Sequence, residues 1–79
     1  MANDKQRAKG ELQAIQADWT SSNANKEQIM EARARKAKEL LEKAGVPELA
    51  LEAKEIAALI NGNQIQAALQ LNARLINKL

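Results

Sequence analysis

Between Pro47 and Leu79 two apolar stripes run either side of the short link Asn61-Gly62-Asn63. Leu49, Ala53, Ile56 and Ile60 recur at intervals of 4, 3 and 4 residues, and Ile65, Ala68/Leu69, Asn72, Leu75/Ile76 and Leu79 repeat the pattern beyond the link. That spacing keeps side chains on one face of an α-helix. A link so short lets the two helices do little but fold back on each other, so this pair is the expected nucleus of the fold.

Upstream, the same grammar predicts two more helices. Asn3 reads as an N-cap, with Asp4 in the first turn and Gln6 able to reach back to the cap. Ala8, Leu12, Ile15 and Trp19 form the first stripe, weakened by Gly10 in the helix interior and by Asp18 at the end where the dipole disfavours a carboxylate. After the polar stretch Thr20–Ala24, Asn25 is expected to cap a second helix whose stripe is Met30, Ala34, Ala37, Leu41 and Ala44. Glu31 with Arg35, Arg35 with Glu39, Lys38 with Glu42 and Glu39 with Lys43 stand four apart, as on a solvated face. Lys43-Ala44-Gly45-Val46-Pro47 is a stop signal, with Gly45 in the left-handed position and Pro47 opening the third helix, where its missing N–H is harmless. Gly62 should end that helix in the same way, and Asn63 should cap the fourth with Gln66 three residues on. The expected helices are 4–20, 26–44, 47–61 and 64–78, in one domain. With one valine and neither phenylalanine nor tyrosine, nothing offers the alternation of a strand. The expected fold is all-α, a compact antiparallel four-helix bundle.

Composition removes whole classes of function. The chain has no cysteine and no histidine, so disulfides, thiolate sites and imidazole chemistry are excluded, and no metal or other cofactor is expected. The carboxylate pairs Glu52/Glu55 and Glu39/Glu42 lie beside lysines, unlike the inward-facing Glu and His of metal-binding bundles, so the reading is not an enzyme, with no catalytic residue. Twelve basic and ten acidic residues leave a net charge of +2, an ordinary surface. The cluster Arg33-Ala34-Arg35-Lys36-Ala37-Lys38 spreads around its helix and is interleaved with glutamates, so no nucleic-acid partner is expected. The apolar run Ile56–Ile60 is far short of the roughly 20 residues of a membrane span, and the first residues lack a signal-peptide core. A soluble chain, cytoplasmic if made in a cell, with no membrane partner, is the expectation.

A few residues stand out against this background. Asn72 falls at the angular centre of the last stripe, where a buried amide must find a partner or cost about 1 to 3 kcal/mol; a structural hydrogen bond that fixes register is the favoured reading. Trp19 should pack in the core near the first loop. Gln66, Gln70 and Asn77 around Ala73 make an uncharged polar face suited to a contact between copies of the chain. Leu51 and Ala58 stand off the main stripe of the third helix, so either that helix touches two neighbours or a modest apolar patch is exposed. No partner is required by these features; a homo-oligomer is the candidate partnership.

Two resemblances follow. Residues 47–79, through Leu59, Asn61, Ala68, Leu69, Leu71, Leu75 and Asn77, look like the last helix pair of the helical domain shared by the COPII outer-coat scaffold and the steroid receptor RNA activator protein, with Gln64 and Ile65 where that family places aromatics. That likeness implies a protein-protein adapter. The whole chain, with three Asn-x-x-Gln starts, stops at Gly45 and Gly62, Pro47 in a first turn and a single tryptophan, is similar to de novo designed helical bundles. That second likeness implies a protein whose task is to fold, without biochemical activity. A small domain for protein-protein interaction or homo-oligomerisation is the alternative.

Overall fold

The computed structural model describes residues 3–79. Four helices follow in order: α1 (Asp4–Trp19), α2 (Lys26–Lys43), α3 (Pro47–Asn61) and α4 (Ile65–Lys78). Each lies within a residue of its expected start and end, and no described residue is in a strand. α1 packs on α2, α2 on α3 and α3 on α4, while α4 reaches back to touch α1. The result is the all-α four-helix bundle that the stripes require.

Its interior is built from small and branched aliphatic side chains. Ala8, Leu12 and Ile15 face inward from α1; Met30, Ala34, Ala37, Leu40 and Leu41 from α2; Ala50, Ala53, Ile56, Ala57 and Ile60 from α3; Ile65, Ala68 and Leu75 from α4. Seven of these sixteen are alanines, concentrated on α2 and α3, where they let the two backbones approach closely. Ala44, placed by its spacing in the second stripe, is exposed, because it is the C-cap of α2 and the chain is already turning away.

The helix ends carry several corrections. Asn3 caps α1 as expected: its Oδ1 accepts from the backbone N–H of Lys5 at 3.0 Å and of Gln6 at 3.3 Å. Asn25 makes no side-chain cap. Its backbone sits at φ −100°, ψ 17°, away from the extended conformation that aims a capping side chain, and its own N–H is held by Asn23 Oδ1 at 2.8 Å. Asn63 is not a cap either. It takes the left-handed conformation, φ 61°, and Gln64 stands at the N-cap position of α4 without a side-chain bond.

Gly62, expected to be left-handed, has φ −84° and is the C-cap of α3. Asn63 N–H donates to Ile60 O at 3.0 Å and Gln64 N–H to Leu59 O at 2.8 Å, which closes α3 in a Schellman motif with asparagine in the left-handed place. At the other stop the expectation is met: Gly45 has φ 79°, its N–H donates to Glu42 O, and Val46 N–H donates to Leu41 O, both at 3.1 Å. Pro47 opens α3 directly afterwards.

Candidate functional site

Asn72 is where the sequence placed it, fully buried. Its Nδ2 donates to the backbone carbonyl of Leu12 at 2.9 Å, a bond from α4 to the middle of α1. Oδ1 is buried without a hydrogen-bond partner. The amide is thus half satisfied. Among the described residues it ties the one helix pair that meets without a connecting loop, α1 and α4.

Two polar links that the sequence did not announce reinforce the α1 end of the bundle. Arg33 reaches from α2 to α1, where Nε donates to Asp18 Oδ2 at 2.5 Å and Nη1 to Glu11 Oε1 at 3.2 Å. The bond to Asp18 and the two negative charges raise the guanidinium above its ordinary pKa, against the opposing effect of burial. Asp18, unfavourable in α1 by itself, is therefore answered by a cation from the next helix. Lys26 does similar work at the end of α1: Nζ donates to Trp19 O at 3.0 Å and sits 4.4 Å from the centroid of the Trp19 ring. Trp19 is accordingly half-buried under an ammonium rather than enclosed in the core. These pairs span 7 to 22 residues of sequence and leave no periodic signal.

Surface lattices are sparser than the spacing suggests. Glu31 with Arg35 and Lys38 with Glu42 are paired; Arg35 with Glu39 and Glu39 with Lys43 are not among the ion pairs of the described residues. On the far side, Lys78 Nζ donates to both carboxylate oxygens of Glu52, at 2.9 and 2.8 Å, fastening the last turn of α4 to α3.

The outward face of α3 is the feature with functional shape. Leu51 is 64 % exposed and is the single large hydrophobic so exposed among the described residues. Two turns on, Ala58 is exposed on the same stripe, with Lys54 and Glu55 between them. Beside Ala58 a groove of about 420 Å³ lies over the α2/α3 seam. It is lined by Arg35, Lys38 and Glu39 from α2 and by Lys54, Ala57, Ala58 and Asn61 from α3.

Gln66, Gln70, Ala73 and Asn77 are all exposed on α4. No group of three or more Asp or Glu is placed to hold a metal ion among the described residues, and no described helix is long and apolar enough to cross a membrane.

A family model for aromatic amino acid lyases matches residues 20–75. The match begins just after α1 and takes in α2, α3 and all but the last turn of α4. No curated protein and no solved structure matches the chain. Neither the coat-scaffold resemblance nor the designed-bundle resemblance pointed to a family named for an enzyme. Since the model covers well over half of the residues, the chain belongs to the aromatic amino acid lyase family.

Proposed function

We propose that this chain is a helical docking module that binds another protein through the outward face of α3 and has no catalysis of its own. The observation that carries this reading is the exposed Leu51 on the same face of α3 as Ala58, which lines a hollow over the α2/α3 seam. A projecting leucine on α3 and a groove at the α2/α3 seam lined by two alanines are the elements of helix-on-helix packing left without a neighbour. The family is named for an activity on aromatic amino acids. Elimination chemistry on such a molecule needs a base held within hydrogen-bond reach of the proton it removes. Arg33, whose guanidinium the bond to Asp18 holds above its ordinary pKa, is engaged in joining two helices. The reading therefore assigns α2, α3 and α4 the role of a helical scaffold related to the lyases.

Selection of displayed helical peptides on the purified chain tests this directly. Binders whose affinity falls at least tenfold on Leu51→Lys are expected. A set of binders indifferent to Leu51→Lys, or release of ammonia from phenylalanine, tyrosine or tryptophan by the pure protein, would refute it. The alternative, a designed bundle whose only task is to fold, is supported by the well-formed signals at Asn3, Gly45 and Pro47, and it expects no such binders.

A further inference from the structure

We infer that the occupant of the α3 face is the α3 of a second copy, laid antiparallel across a two-fold axis that passes between Lys54 and Glu55. This rests on the reading of α3 as a docking face and names the partner. An isologous contact needs a surface complementary to itself: residue i meets residue j, and j meets i. With the axis between positions 54 and 55, Leu51 of each copy lies over Ala58 of the other, Lys54 faces Glu55 of the other copy twice, and Glu48 faces Asn61. All of these side chains are exposed.

Both size and charge match under that one operation. The projecting leucine meets Ala58, the smallest side chain on the stripe, which also lines the hollow over the α2/α3 seam. Each central lysine meets a carboxylate. Lys54 and Glu55 have no ion-pair partner among the described residues, so neither has to leave one to join the contact. At each end Glu48 of one copy faces Asn61 of the other, which lines the groove together with Arg35, Lys38, Glu39 and Lys54. Shifting the axis by half a residue to either side, so that it passes through position 54 or 55, loses this pairing: it sets Lys54 or Glu55 against itself, and Leu51 no longer meets Ala58.

One fifteen-residue helix and its rim make a small interface, below the roughly 1,200 Å² of stable complexes, so association is expected only at high micromolar concentration. Sedimentation equilibrium on the full chain from about 10 µM to 1 mM, at low salt, should show a monomer–dimer equilibrium. Isotope-filtered nuclear Overhauser spectra on mixed labelled and unlabelled chain should connect Leu51 methyls to the Ala58 methyl across copies. Leu51→Lys, Lys54→Glu and Glu55→Lys should each weaken the dimer at least tenfold, the last two by setting like charges opposite. The double reversal Lys54→Glu/Glu55→Lys should restore it, because the symmetry returns every pair. All three positions are exposed, so thermal unfolding of the dilute monomer serves as the control for folding.

A monomer throughout that range overturns the self-pairing while leaving the peptide selection on α3 to stand or fall separately. A dimer that ignores Leu51→Lys, or that the double reversal fails to restore, overturns it as well.

Discussion

Replacing Asn72 by leucine is expected to stabilise the protein. The buried Oδ1 has no donor, which costs about 1 to 3 kcal/mol, and removing it recovers that amount. The bond from Nδ2 to Leu12 O is lost, at about 1 kcal/mol net. Leu12 O is not orphaned, because it lies within the α1 ladder and keeps its own helical donor. Burying the branched aliphatic group contributes roughly 1.5 to 3 kcal/mol. Its greater volume, in an interior where Asn72 and Leu75 have no exposed surface, takes back about 1 to 3 kcal/mol in overpacking. The central values sum to a gain of about 1 kcal/mol, which in a chain this short raises Tm by about 4 to 8 °C.

Urea unfolding followed by helical circular dichroism and by Trp19 fluorescence measures it with two probes at once. Trp19 stands at the end of α1, so it also reports whether α1 is still docked. Coincident transitions with an unchanged slope and a higher midpoint are the expected result. A midpoint lowered by the equivalent of 1 kcal/mol or more would refute the accounting. It would mean that the whole amide, Oδ1 included, is net stabilising. An earlier fluorescence transition would show instead that the amide is needed to seat α1.

Gly10→Ala should add about 0.8 to 1 kcal/mol, since φ is helical and an added Cβ meets nothing within 4 Å; no change or a loss in Tm would contradict this. Asn63→Gly should be neutral or slightly stabilising and Asn63→Ala should cost about 1 to 2 kcal/mol, because φ 61° penalises a Cβ without a compensating polar side chain; equal Tm values for the two would show that the turn relaxes. Lys26→Met should lose roughly 0.5 to 1 kcal/mol and alter Trp19 emission, by removing both the ammonium over the ring and the donor to Trp19 O; an unchanged spectrum would refute that contact. Arg33→Met should destabilise more than Arg35→Met in thermal melts, since Arg33 joins two helices through two carboxylates whereas Arg35 pairs within one turn of its own helix; the reverse order would contradict the geometry.

Much of the architecture is written in local chemistry. The periods of Ala8-Leu12-Ile15, Met30-Ala34-Ala37-Leu41, Ala53-Ile56-Ile60 and Ile65-Ala68-Leu75 select helices and their inner faces, and short links leave antiparallel neighbours as the economical arrangement. Asn72 was legible for the same reason: a polar residue at the centre of an apolar stripe is buried wherever the stripe is. Gly45 and Pro47 were legible because φ and N–H restrictions act within two or three residues. Capping was less so. The same Asn-x-x-Gln letters give a side-chain cap at Asn3, a bare turn at Asn25 and a left-handed helix stop at Asn63, since the backbone entering each position differs. The entry angle comes from how the preceding helix is held, and no three-residue pattern contains it.

What only the tertiary structure decided are the meetings between residues far apart in the chain. Arg33 with Asp18 and Glu11, Lys26 with Trp19, Lys78 with Glu52, and Asn72 with Leu12 depend on how each helix is rotated and shifted along its neighbour. Likewise Leu51 is an ordinary leucine by sequence; it becomes a projecting knob because α3 spends its inner face on α2 and α4, and the hollow over the α2/α3 seam, lined by Ala57 and Ala58, exists only once the two helices are packed. Periodicity follows from the geometry of a single helix and can be read along one chain. Rotation and register are settled by packing energy summed over four helices, which no local stretch of the sequence holds.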